Sequence, residues 1–388
     1  MSASQKLAWL VLAIALIEAC SGKPKARAPG ELASVPDRYV RVAQISAQGN
    51  TLYYTYGETA YAVDVSDPRR PRQLSSSATA SGLLCNGEAG CSGFAIVGGD
   101  AYFADDNNIA KVALPSATFP AWLYGLPAVP PDHYTNTMVS ISNGGLAIGG
   151  TRQNTVDTVP GDLLLVSTSD GLPSLASTVI DTSSAVTFVS SDGPWLFYLA
   201  ASDMIGHPPP VPYHRIVVLN THAQSAPIEV SRVDVPSLPV GDDVYFMDAR
   251  GHDLVIGALR SPLFSGGDEI QFTWLAWYRF SADFASLGFV DAAPRWVLAN
   301  PPLVLSGGRL FFAVYGTDAN PFDLAAPARI VVMRLDTAKG LVEESITPLD
   351  VFPRQIAVDE QRGLVYVGGY GLEIFDLGVL EGGPPRWP

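Results

Sequence analysis

The stretches LYYTYGETAYAVDV (Leu52–Val65) and LVYVGGYGLEIFDL (Leu364–Leu377) align without a gap. Each reads as an alternating apolar strand, a turn containing Gly, and a second alternating strand that ends on Asp, at Asp64 and Asp376. The pattern is a β-hairpin apolar on both faces, which cannot hide its surface alone. Its two copies stand at opposite ends of the chain, so the segment between them is expected to hold further copies.

Weaker copies do lie between: 101–104 with 109–114, 146–149 with 163–167, 195–200 with 215–220, 254–258 with 272–280, and 310–315 with 329–336. Hairpins therefore begin roughly every 45–59 residues, close to the period of propeller blades. A strand precedes each pair (40–45, 94–97, 138–141, 186–189, 244–247, 303–305, 355–358). Another follows most pairs (72–74, 121–124, 175–179, 228–233, 287–290, 342–347). Four antiparallel strands per unit define a blade, and a closed ring of blades buries both faces of each. The expected fold is all-β: a single β-propeller of about seven four-stranded blades over residues 38–388. The last unit lacks a fourth strand, because only GVLEGGPPRWP follows Leu377; Leu32–Val35 is the candidate to fill that place from the other chain end.

Composition agrees. The 388 residues are 47% hydrophobic and 16% charged, with 36 Gly and 31 Pro, which favours turns over long helices. The formal net charge of −14 repels phosphate backbones and argues against nucleic acid as a partner.

The first residues carry one cation, Lys6, and then the apolar run LAWLVLAIALI (7–17). At about 11 residues this run is too short to span a bilayer and fits the core of an export signal. It leads into Glu18-Ala19-Cys20 and the polar stretch SGKPKARAPGE. The small residue and Cys resemble a bacterial lipobox, with Glu18 departing from the pattern. That resemblance implies a signal over 1–19, lipid (palmitate) on Cys20, a tether over 20–37 and, with Ser21 next, an outer-membrane address. Ordinary signal cleavage after Ser21 is the alternative. In an oxidising compartment Cys85 and Cys91, bracketing a loop with two Gly, are expected to form a disulfide.

Around the first hairpin, YAVDVSDPRRP (Tyr61–Pro71) resembles the LVIVD-type repeat of bacterial surface propellers, and Gly371–Leu377 is similar to its first half. The resemblance covers these two units only. It implies an exported propeller and no catalytic residues.

The connections between the two hairpin strands are uneven. They are tight in the first, second and seventh units and long in the third to sixth, at 151–161, 201–213, 260–271 and 316–327. All emerge on one face, and insertions in repeat proteins fall on the binding face. In or beside these loops lie Asp157, Asp162, Asp203, His207, Tyr213, His214, Arg260, Asp268, Glu269, Asp318 and Asp323, the candidate binding residues. A hard cation wants several oxygens, yet a solvated polar loop is the plainer account of these carboxylates, so neither metal nor cofactor is expected. Catalytic residues are not assigned: there is no G-x-S-x-G elbow, no paired His and no phosphate loop. Trp195, Trp274 and Trp277 read as blade packing. The expected function is an envelope-anchored, monomeric binding or scaffold module whose partner is an unidentified protein or small ligand. The alternative is a propeller enzyme, a hydrolase or lyase working at the central mouth.

Overall fold

The computed structural model describes residues 27–36, 44–56, 59–78, 93–98, 100–105, 108–113, 122–125, 133–142, 144–152, 161–168, 174–181, 185–201, 214–222, 227–236, 243–259, 270–298, 303–314 and 328–387. The chain opens with β1 (Glu31–Pro36). Blade 1 is β2 (Gln44–Gln48), β3 (Thr51–Tyr56), β4 (Thr59–Asp64) and β5 (Arg72–Ala78). Blade 2 is β6 (Gly93–Val97), β7 (Asp100–Asp105), β8 (Asn108–Ala113) and β9 (Trp122–Gly125). Blade 3 is β10 (His133–Ile141), β11 (Gly145–Arg152), β12 (Gly161–Ser167) and β13 (Ser174–Asp181). Blade 4 is β14 (Ala185–Asp192), β15 (Trp195–Ala201), β16 (His214–Asn220) and β17 (Ile228–Asp234). Blade 5 is β18 (Asp243–Arg250), β19 (Asp253–Leu259), β20 (Ile270–Phe280) and β21 (Leu287–Leu298). Blade 6 is β22 (Leu303–Ser306), β23 (Arg309–Val314), β24 (Arg329–Asp336) and β25 (Gly340–Pro348). The chain then forms β26 (Phe352–Asp359), β27 (Leu364–Asp376) and one helical turn, α1 (Leu377–Leu380).

Each of the six blades is an antiparallel sheet whose strands pair in chain order. The first strands touch in sequence from β2 through β6, β10, β14, β18 and β22 to β26, and β26 returns to β2, so the sheets close a ring. The expectation of about seven four-stranded blades is corrected: six are complete. The closing sheet has three strands, in the order β1-β27-β26, because β27 is one continuous strand where the other blades have separate second and third strands; its material comes from both ends of the chain. Its β27 is 13 residues long. Residues 364–370 of β27 pair with β26, and 371–375 pair with β1. Leu377 N–H donates to Gly363 O (2.9 Å), as Val65 does to Asn50 and Leu335 to Gly308 at the hairpin bases of blades 1 and 6. The chain thus doubles back within β27, and β1 covers its outer edge. Leu32–Val35, read as the filler strand, lies within β1.

Alternation explains the packing. In β27, Val365, Val367 and Phe375 pack with Phe311, Ile330 and Val332 of blade 6. Leu364, Tyr366, Leu372 and Ile374 pack with Leu52, Tyr54 and Val63 of blade 1. In β15, Leu196 and Tyr198 face blade 3, whereas Phe197 and Leu199 face blade 5. A strand buried on both faces must be apolar at every position, which is why these segments read as unbroken runs. Each fully buried Leu or Phe contributes roughly 1.5–3 kcal/mol. Trp277 is fully buried between blades 5 and 6, and the Trp195 ring lies tilted against Phe284 with ring centres 4.9 Å apart, so both serve packing.

The polar punctuation also has a local cause. The residue ending the third strand accepts a hydrogen bond from the backbone two residues on: Asp64 from Ser66 N–H, Asn220 from His222 N–H and Asp336 from Ala338 N–H, each 2.9 Å. These side-chain turns break the strand and start the link to the fourth one. The bonds hold the Asp64 and Asp336 carboxyls below the usual range, with backbone donation from Ser66 leading at Asp64 and the Arg334 side chain leading at Asp336.

Candidate functional site

Antiparallel order places the turns between first and second strands at one rim of the ring. The strand ends from which the chain passes from second to third strand, and from blade to blade, lie at the opposite rim. The first is the lower rim and the second the upper.

From blade 3 round to blade 1 the lower rim is tied across its junctions. Ser191 Oγ donates to Ser140 O at 2.6 Å, joining blades 4 and 3. Ser190 Oγ donates to Asp248 Oδ1 (2.6 Å) and Gly251 N–H to Asp192 Oδ2 (2.7 Å), joining blades 4 and 5. Leu305 N–H donates to Asp248 Oδ2 (2.8 Å), joining blades 5 and 6. Ser306 Oγ bonds Glu360, and Arg362 bonds Gly49 O (3.1 Å) and Val65 O, carrying the series through the closing sheet to blade 1. Side chains spent on neighbouring backbone leave this rim little freedom to rearrange around a ligand.

The upper rim differs. Blades 1 and 2 cross from second to third strand through residues 57–58 and 106–107. Blades 3 to 6 do so through the longer segments 153–160, 202–213, 260–269 and 315–328. Their stems are β11/β12, β15/β16, β19/β20 and β23/β24. The ring sets these four stems side by side on consecutive blades.

Two of the sequence candidates sit on the stems. Asp162, second residue of β12, is fully buried and in register with Gly150 and Ile180. His214, first residue of β16, is half-buried opposite Ala201, and its carbonyl accepts Val235 N–H at 2.9 Å. Asp157, Asp203, His207, Tyr213, Arg260, Asp268, Glu269, Asp318 and Asp323 lie outside the described residues, as do Cys20, Cys85 and Cys91.

The structure adds a group that sequence reading missed. Glu31 of β1, Asp350 of the link into β26 and Glu373 of β27 bring one carboxylate oxygen each within 4.8 Å of one another. Glu373 is 1% exposed and accepts Asp350 N–H at 2.7 Å, and Glu31 accepts Ala28 N–H at 2.9 Å. Three converging carboxylates are the donor type a hard divalent cation takes. The numbers 31, 350 and 373 hide the set, because closure of the ring from both ends is what joins them. The one local signal was a Glu inside the apolar run 372–375. Nearby on the same sheet Arg354 donates to the Tyr370 hydroxyl at 3.0 Å. Burial raises the hydroxyl pKa of Tyr54, Tyr278 and Tyr366 well above 10, so these core phenols stay protonated and are unsuited to acid–base work near neutrality.

No family model matches the chain, and no curated protein matches it in sequence. Solved structures do. One is a chain of the S. cerevisiae Dbp5 complex with Nup159 and Gle1, at 12% identity and a TM-score of 0.51, covering 89% of this chain and 93% of that one. The N-terminal domain of Nup159 follows at 11% identity and 0.50, covering 89% and 94%. The periplasmic gluconolactonase of Pseudomonas aeruginosa gives 12% and 0.50, covering 79% and 84%. At such identities the likeness is one of fold, and it agrees with a single propeller.

Proposed function

We propose that this chain is an exported, lipid-anchored propeller that binds a protein or small ligand through the upper rim of blades 3 to 6. The observation that carries the reading is the placement of four long-loop stems on consecutive blades at one rim, opposite a rim tied by its own side chains. Candidate ligand contacts are the loop carboxylates with His207, Tyr213, His214 and Arg260. The N-terminal reading supplies the address: export through residues 1–19, acylation of Cys20 and residence at an outer membrane, with the Cys85–Cys91 disulfide formed there. The repeat is taken as the LVIVD type on the copies at 61–71 and 371–377.

The test is a chain in which 153–160, 202–213, 260–269 and 315–327 are each replaced by Asn-Gly, a dipeptide suited to two-residue hairpin turns. It is expected to melt cooperatively and to lose envelope components that the wild-type chain retains. Equal retention by both folded chains would refute the binding face. In the same cells, labelled palmitate is expected on the wild type and not on Cys20→Ala; an unlabelled wild type removes the anchor. Hydrolysis of a sugar lactone by purified wild type, lost in the trimmed chain, would favour a propeller enzyme instead.

A further inference from the structure

The residues after β27 do more than end the last sheet. Asp376 occupies the place of Asp64 in the repeat, yet its carboxylate caps α1 through Val379 N–H (3.3 Å) and accepts Trp387 N–H at 2.6 Å. The intervening chain folds tightly: Gly383 N–H bonds Gly378 O at 2.8 Å. Leu377 and Leu380 are buried against blade 6. Ser345 Oγ bonds Leu380 O, and Glu381 pairs with Arg309 of blade 6 at 3.4 Å and with Arg386 at 2.6 Å. At the other end the Trp387 indole N–H donates to Arg362 O at 2.9 Å. The Arg362 guanidinium lies 5.6 Å from the centre of that indole ring. The same guanidinium bonds Gly49 O and Val65 O, both in blade 1. Residues 377–387 therefore run beneath the closing sheet from blade 6 towards blade 1, with Arg362 as the buckle.

We propose that residues 377–387 are a releasable strap, a second lock on the ring beside β1, and that the propeller opens first at the junction of the closing sheet with blade 1 when Trp387 leaves Arg362. The reason is geometric. The chain crosses this junction only from β1 into β2, while β26 and β27 of the same sheet come from the far end of the chain and, among the described residues, meet blade 1 through side-chain contacts alone. The junction's lower-rim ties both involve the strap: Arg362 packs on the Trp387 ring, and Arg69 of blade 1 donates to Trp387 O at 3.5 Å. The strap also reaches the residue before β1, because Val379 lies against Gly30 so closely that a Cβ added there would fall 2.9 Å from the Val379 Cβ. Release accordingly loosens the strand that carries Glu31, and with it the Glu31–Asp350–Glu373 set.

Native-state hydrogen exchange on the full chain tests this, since it reports local opening segment by segment. Trp387→Ala is expected to raise exchange about tenfold in residues 44–65 and 352–376 and to leave β14–β16 unchanged. Arg362→Lys keeps the charge but loses the planar fork that reaches two carbonyls. It is expected to raise exchange in the same two segments by a smaller factor, and it decides the matter should Trp387→Ala not fold. Unchanged exchange, or an equal rise in every blade, would overturn the strap.

Discussion

Gly257→Val is expected to destabilise the ring by about 2–4 kcal/mol, the scale of overpacking a filled core. Gly257 of β19 stands opposite Phe246 of β18 in the sheet register. The Phe246 ring lies over the glycine so closely that an added Cβ would fall 1.9 Å from Cζ and 2.1 Å from Cε1. A ring tip can sometimes swing aside. This one is 7% exposed and packed among Leu275, Trp277, Leu310 and Phe312 at the junction of blades 5 and 6. Its displacement would open that junction or force a poor rotamer. Thermal and denaturant unfolding should show a lower midpoint with an unchanged denaturant slope. Pairing Gly257→Ala with Phe246→Leu should recover part of the loss of Gly257→Ala alone, which a double-mutant cycle measures. Additive losses would mean that the ring and the glycine are not in conflict.

That contact shows where sequence reading ends. The strand around 254–258 was legible from its alternation, and so was its partner at 244–247. Nothing in the letters, however, told which aromatic would lie on which glycine, because that depends on register. The closing strand at 32–35 was legible for a different reason: an unfinished sheet at 364–377 demanded an outer strand, and that segment was the apolar one left over. The blade count was read too high because the last hairpin is one continuous strand, β27, which leaves the closing sheet with three strands. Loop lengths marked the upper rim, since length is written directly in the chain. The side chains that share a site were not marked. Glu31, Asp350 and Glu373 meet through closure alone, and Asp162 looks like one more loop carboxylate until the structure buries it on a stem.

The lower rim offers the other large effect. Asp248→Ala is expected to cost about 2–3 kcal/mol, because it removes a buried charged acceptor and leaves the Leu305 N–H without its partner, whereas Ser190 Oγ and Ala249 keep hydrogen bonds to each other at 3.2 Å. Asp248 is 9% exposed on the first strand of blade 5. Its Oδ1 accepts from Ser190 Oγ at 2.6 Å and from Ala249 N–H at 2.9 Å, and its Oδ2 accepts from Leu305 N–H at 2.8 Å. One carboxylate thus fastens blade 4 and blade 6 to blade 5. Asp248→Asn should recover little of the loss. Both oxygens accept from backbone N–H groups, so in either orientation of the amide its NH₂ faces a donor. Ser190→Ala, which deletes one hydroxyl and leaves the Leu305 bond in place, should cost nearer 1 kcal/mol. The expected order of melting temperature is wild type, then Ser190→Ala, then Asp248→Asn, with Asp248→Ala lowest or close to it. If Asp248→Asn melts with the wild type, the two-sided acceptor is not what joins these three blades, and apolar packing with the Gly251–Asp192 and Arg250–Leu305 bonds must hold them without it.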